Sequence, residues 1–396
     1  MSRHPKWIRL ALALVLVPIA CADSDPLAPQ ASRLAAGAAL TADQLVVVTG
    51  EQAGAQYALY VPPEWNGDLV VYAHGFIDPA LPVALPTADG LPGLRDGLLA
   101  ERYAVAYSSF RENGFAVKDG VRSTHQMTGI FTARFGRPRR VFLAGHSLGG
   151  LVALSLAERF PAQYAGALPM CGLVGGSRAT IDYIGHTRVL FDNFYPGVLP
   201  GTVIEVPAVD LNTQVIGPVI QAISQDPMKA ITIAQFAQSP LPFVSGPELV
   251  ESFVRVIGFN FRGFTDLMQR THGHSPFDNM ETTYTGALPA PLLTAVNEQV
   301  GRYSATADAL QYVEHFYEPT GALRIPVLTL HGSRDPVAPL LHETRLHSLV
   351  TDAGAAALLS QRTVNRYGHC TFETAEMLSA FADLVRWVDS GIAPVN

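Results

Sequence analysis

The chain has 396 residues, of which 48% are hydrophobic and 15% charged, so it is long and apolar enough to bury a large core in one big domain or one domain with an insertion. That composition excludes a disordered chain, and the net charge of −7 excludes the basic footprint of a nucleic-acid binder.

The first segment, MSRHPKWIRLALALVLVPIACADSDP, starts with Arg3, Lys6 and Arg9 and continues through an apolar stretch, Leu10 to Ala20, that is too short to span a bilayer. It ends in small residues, which predicts an export signal over 1–21. Ala20-Cys21-Ala22 fits a small-residue cleavage site, whereas Ile19-Ala20-Cys21 resembles the end of a lipoprotein box with Pro18 in place of the usual leucine. Both routes stay open, and both place the mature chain in the periplasm, outside the cell, or on the outer membrane through a lipid at Cys21. Loss of the three cations takes the net charge from −7 to −10. With no further long apolar run, a lipid anchor is the one membrane contact expected.

Residues 22–43 are rich in Ala, Pro and Ser and read as a linker. From Gln44 the pattern turns to strands: QLVVVTG and QYALYVPPEW suggest an antiparallel pair, and DLVVYAHG a strand buried on both faces. A helix over LPGLRDGLLAER, a strand over YAVAYSSFR and a helix between Asp119 and Phe135 follow. Next come the strand VFLAG, the helix GGLVALSLAERF and the strand YAGALPMCG. This alternation predicts a parallel sheet covered on both faces. From 173 to 324 the rhythm stops, and helical stretches such as ATIDYIGHTRVLFDNF, PELVESFVRVIGF and SATADALQYVEHFY lie between Pro and Gly turns. It resumes with IPVLTLHG, LLSQRTVNRYGH and the helix FETAEMLSAFADLVRWVDSG. The expected layout is a core over 44–172 and 325–396, interrupted by a helical cap over 173–324.

Gly145-His146-Ser147-Leu148-Gly149 matches G-x-S-x-G between a strand and a helix, the setting of a nucleophile elbow. Close backbone packing there tolerates only glycine at the flanking Gly145 and Gly149, and the free N–H of Leu148 can face a developing oxyanion. A serine hydroxyl is a poor nucleophile at neutral pH, so it needs a base and the base an orienting acid. Asp335 follows the predicted strand IPVLTLHG, and His369 follows the last predicted strand, in the order acid then histidine. The second oxyanion donor is expected from the N–H of Phe76, reached through the flexible Gly75.

Tyr72-Ala73-His74-Gly75, Gly145 to Gly149, His331 to Pro336 and Tyr367 to Cys370 together make the chain resemble the α/β-hydrolases, in particular secreted bacterial esterases and lipases. The resemblance covers 44–172 and 325–392. It implies an α/β fold with an eight-stranded, mostly parallel sheet, an insertion after the sixth strand that caps the site, and a ping-pong acyl-enzyme mechanism. It implies no metal and no organic cofactor. The partner expected is a small-molecule or polymeric ester; lipid, phenolic and polyester esters all fit.

In the predicted sheet, Cys171 at the end of the sixth strand and Cys370 directly after the base fall on the same face, so the two are read either as a disulfide in an exported protein or as two unrelated thiols, one in the core. Ser108, Arg111 and Asn113 approach that face too, or are loop polarity. His272 and His274, with Asp278, are too few and too closely spaced for a convincing ligand set. Two alternatives share the fold: a proline-type exopeptidase, which needs carboxylates such as Asp182, Asp192, Glu248 or Glu251 to anchor an amine, and an acyltransferase. A binding-only role is disfavoured by the intact Ser, Asp and His set.

Overall fold

The computed structural model describes residues 44–88 and 90–394. The expected signal over 1–21, the lipid site at Cys21 and the linker over 22–43 lie outside the described residues.

Eight strands form one sheet in the order β1-β2-β4-β3-β5-β6-β7-β8. They are β1 (Val46–Gln52), β2 (Ala55–Val61), β3 (Asp68–Ala73), β4 (Ala104–Ser108), β5 (Arg140–His146), β6 (Gly166–Met170), β7 (Val327–Arg334) and β8 (Leu359–Tyr367). β2 runs antiparallel to both β1 and β4, and every other pair is parallel. The β1–β2 connection is a two-residue turn in which Ala53 and Gly54 both have positive φ (51° and 86°). That is the hairpin geometry whose twist suits the flanking strands.

The central strands are buried throughout because helices cover both faces. On β3, Val70 and Tyr72 join a core with α1 (Leu91–Ala100) and α12 (Thr374–Ser390), through Leu94, Leu98, Phe381 and Leu384. Leu69 and Val71 point the other way, into a core with α2 (Val117–Phe135) and α3 (Leu148–Arg159). The period of two along a strand makes this division, and each buried Leu, Val or Phe contributes about 1.5–3 kcal/mol. Asp68 opens β3 fully buried, with Arg139 Nε and Nη2 at 3.0 and 2.8 Å and Arg140 Nε and Nη2 at 3.1 and 2.7 Å. The pairing locks the start of β3 against the start of β5.

Between β6 and β7 the described chain is helical: α4 (Ser177–Phe194), α5 (Gly217–Gln225), α6 (Pro227–Ala234), α7 (Gly246–Phe259), α8 (Thr265–Arg270), α9 (Ala290–Gln299) and α10 (Ala307–Tyr317). Two π-helical turns, Asn212–Ile216 and Asn260–Phe264, interrupt it. Arg188 on α4 is fully buried at its centre. It donates to Asp192 (2.9 Å), to Asn260 Oδ1 (3.0 Å) and to the carbonyls of Pro200 and Gly201 (3.1 Å each), so one cation is satisfied by four residues. α11 (Leu341–Asp352) and a short turn at Ala356–Leu358 connect β7 to β8.

Hydrogen bonds join this insertion to loops at the C-terminal ends of three strands. Asp266 accepts from the Phe115 N–H (2.6 Å) after β4, Tyr183 donates to the Pro336 carbonyl (2.9 Å) after β7, and Tyr367 at the end of β8 donates to the Glu248 carbonyl (2.9 Å).

Candidate active site

β5 ends at His146 and α3 begins at Leu148, which leaves Ser147 alone to make the turn at φ 54° and ψ −121°. A left-handed conformation is uncommon for a non-glycine residue and costs energy that surrounding contacts must hold. Those contacts are backbone: Ser147 N–H donates to the Met170 carbonyl (2.9 Å), and its carbonyl accepts from Gly150 (2.9 Å) and Leu173 (3.2 Å). A Cβ on Gly149 would lie 2.1 Å from the Ala73 carbonyl oxygen, and one on Gly145 would lie 2.2 Å from the Gly149 oxygen. Both glycines are therefore demanded by the close approach of three backbone segments. The Ser147 hydroxyl makes no helix-capping bond. Instead it lies 2.8 Å from His369 Nε2.

His369 sits in the loop after β8, with its Nδ1 2.7 Å from Asp335 Oδ2. Asp335, just past β7, is fully buried, and its other oxygen accepts from the N–H groups of Val337 (2.8 Å) and Ala338 (2.9 Å). Burial alone would raise its pKa, but the charge and hydrogen bond of His369, the charge of His331 and the Ala338 N–H outweigh this and hold it below the usual carboxylate range. An ionised Asp335 fixes the proton of His369 on Nδ1, and Nε2 is then free to accept from the serine. The structure thus brings Ser147, Asp335 and His369, which lie up to 222 residues apart, into one hydrogen-bonded line.

Cys171 and Cys370 form a disulfide with a Cα–Cα distance of 5.3 Å. It joins the residue after β6 to the residue after His369. Cys370 Sγ lies 3.5 Å from His369 Nε2, and both cysteines have positive φ (44° and 56°). Ser147, Cys171 and Cys370 thereby place three left-handed non-glycine residues at one site. The sulfurs and the imidazole lie within 4.8 Å of one another, but sulfurs bonded to each other offer no thiolate to a metal ion.

Phe76 follows Gly75 in the loop after β3. Leu148 opens α3, so its N–H belongs to the first helical turn, whose donors have no intrahelical acceptor. The Phe76 ring meets Phe259 of the insertion at a centroid distance of 5.0 Å, so an aromatic surface borders this loop. His74 stacks on Phe110 at 3.7 Å. His146, next to the serine, is buried with Nδ1 3.1 Å from the Tyr72 hydroxyl; burial first, and then the charge of His369, push it down to about 3, so it is neutral.

Other candidates are engaged elsewhere. Arg111 donates to Asp119 (2.7 Å), the Asn113 amide to the Leu81 carbonyl (2.8 Å), and Ser108 accepts from the Phe110 N–H (3.3 Å). Asp192 pairs with Arg188, Glu251 with Arg255, and Glu248 accepts from Val244 at the start of α7. Asp182 is pushed up to about 6 by burial, opposed by Arg178 and Arg345. His272 and His274 are exposed, and Asp278 accepts from the N–H groups of Met280 and Ala305.

Sequence reasoning passed over Tyr183 and the pair His331–Glu343, which support the acid loop from α4, β7 and α11. The one local signal was His331 itself, four residues before Asp335.

The strand order, with Ser147 at the turn after β5, Asp335 after β7 and His369 after β8, is that of the α/β-hydrolase fold. No family model and no curated protein sequence matches the chain. Among solved structures, it is similar to lipase A of Candida antarctica in its closed state (13% identity, 86% of this chain and 75% of that one, TM-score 0.46). It is similar also to the esterase domain of a Rhodothermus marinus protein (15% identity, 87% and 98%, TM-score 0.41). A third is the Pyrococcus horikoshii acylaminoacyl peptidase (9% identity, 90% of this chain and 43% of that one, TM-score 0.45).

Proposed function

We propose that the chain is a serine carboxylic-ester hydrolase working through an acyl-enzyme. The observation that carries this reading is the unbroken line from Ser147 Oγ to His369 (2.8 Å) to Asp335 (2.7 Å) at a strained elbow. Ser147 attacks the ester carbonyl while His369 Nε2 takes its proton, and the N–H groups of Phe76 and Leu148 receive the oxyanion. The imidazolium then gives that proton to the departing alcohol, which leaves Ser147 acylated. Water, deprotonated by the same Nε2, attacks the acyl-enzyme; the carboxylic acid departs and the serine regains its proton. Asp335 stays ionised throughout and keeps Nδ1 protonated.

The rings of Phe76 and Phe259 beside the oxyanion loop favour an apolar or aromatic acyl group. The insertion over 173–324 acts as the cap that excludes water from it. The basic start and short apolar stretch of 1–21 support export, with Cys21 as the site of a lipid if the signal is cut in the lipoprotein manner. No observation favours the peptidase reading, because three of its four candidate carboxylates are committed to other partners and the fourth, Asp182, is half-buried with its charged form disfavoured.

The test is a substrate panel on purified mature protein: p-nitrophenyl esters from acetate to palmitate, a ferulate ester and aminoacyl arylamides, each with and without a serine-reactive phosphonate. Phosphonate-sensitive ester turnover is expected, and its chain-length profile sizes the acyl site. Arylamide turnover without ester turnover overturns the reading.

A further inference from the structure

Asp335 is held by a three-residue turn, and the turn is held in its own right. Pro336 has no N–H, so the donors of the turn are Val337 and Ala338, and both are spent on Asp335 Oδ1. Their carbonyl sides are tied from behind: Pro336 O by the Tyr183 hydroxyl (2.9 Å) and Ala338 O by His331 Nε2 (2.6 Å). His331 is fully buried on β7, and its Nδ1 lies 3.0 Å from Glu343 Oε1 on α11. Glu343 Oε2 accepts in turn from the Thr329 hydroxyl and the Gln361 amide, each at 2.6 Å.

We propose that His331 and Glu343 are a buried positioning pair that fixes the Asp335–Ala338 turn, and that His331 carries protons on both ring nitrogens to do so. A carbonyl only accepts, so Nε2 donates to Ala338. Glu343, surrounded by donors, is a carboxylate, so Nδ1 donates to it as well. The neighbouring charges agree. Burial would lower the His331 pKa, but the hydrogen bond and charge of Glu343, the charge of Asp335 and the Ala338 carbonyl raise it to about 9. His342, the other titratable group of α11 facing it, is pushed down to about 3 by burial and then by the His331 charge, and is neutral. The cation therefore sits between two carboxylates: Glu343, which holds it, and Asp335, whose charged form it favours. This deepens the hydrolase reading and rests on it for its kinetic consequence.

The first measurement is the ¹⁵N spectrum of the imidazole rings in the unaltered protein from pH 5 to 8. Two protonated ring nitrogens on His331 across that range are expected; a deprotonated ring nitrogen at pH 7 overturns the proposal whatever the chain hydrolyses. The second compares His331→Gln and Glu343→Gln with the unaltered protein in ester kcat and KM and in the rate at which a phosphonate labels Ser147. A loosened Asp335 lowers kcat and the labelling rate by about 10²-fold, with KM changed by less than about twofold. Folded variants, with native circular dichroism and the disulfide intact, that keep the native labelling rate overturn the proposal. If a variant does not fold, the ring signals decide alone. Labelling reads the triad and not the substrate, so a failure of the ester reading leaves this comparison intact.

Discussion

Replacing both half-cystines, Cys171→Ala with Cys370→Ala, perturbs stability and catalysis through one bond. The bond closes a loop of 199 residues, and in the chain-entropy account removing such a constraint from the unfolded chain costs about 5 kcal/mol. For the 350 described residues, 44–88 and 90–394, the entropy of unfolding converts this into a fall in Tm of about 7 °C. Thermal and urea unfolding followed by circular dichroism measure it. The unaltered protein in reductant should fall to the same Tm as the double variant, and Cys370→Ala alone should match it, which separates the bond from the size of the side chains. Because Cys370 directly follows His369, freeing it also lets His369 drift from Ser147, so on the proposed reading kcat should drop with little change in KM. A double variant whose Tm lies within about 1 °C of native and whose kcat is native refutes the reasoning, since neither effect can survive loss of a real constraint.

Three further outcomes follow from the site and the sheet. Ser147→Ala should stay folded and lose ester turnover by about three orders of magnitude, and Asp335→Asn, which leaves His369 in the wrong tautomer, by about 10⁴-fold; kinetics on a p-nitrophenyl ester check both. Gly149→Ala places a methyl 2.1 Å from the Ala73 carbonyl, so it should yield insoluble or inactive protein, and a native Tm with native activity would show that the elbow is built differently. Burial alone would raise the pKa of Asp68, but its bonds to Arg139 and Arg140 outweigh this and hold it below the ordinary 3.8. A depressed carboxylate stabilises above the unfolded value and loses that contribution as pH falls through the folded one. Asp68→Asn should therefore lower the urea midpoint at pH 7, with the gap closing toward pH 3; a gap independent of pH sinks the assignment.

The eight strands were legible because a sheet covered on both faces writes itself as short apolar runs such as DLVVYAHG and VFLAG, each punctuated by glycine or proline. The convergence of Ser147, Asp335 and His369 was legible for a related reason: Asp335 and His369 stand directly after such runs, so chain order supplied the spatial prediction. The cysteine pair was placed by the same logic. The insertion was legible only as helical stretches, since helices packing on helices leave many registers open, and neither π-helical turn has a sequence period of its own. Arg188 looked like any cation on an amphipathic helix, and its role depends on carbonyls at Pro200 and Gly201 that no local pattern announces. His331 and Glu343 escaped because they lie 12 residues apart on a strand and a helix, where only packing brings them together.

The order of the three reactive groups along the chain has a consequence for a cell that makes this protein. Among the described residues β8 lies at the edge of the sheet, pairs only with β7, and delivers His369 in the loop that leads into α12. A polypeptide emerging from the ribosome presents Ser147 first and Asp335 much later, and His369, which hydrogen-bonds to both, follows Asp335 by 34 residues. On the proposed reading, the hydrogen-bonded line from Ser147 to Asp335 is therefore completed only once the last of the described strands is in place.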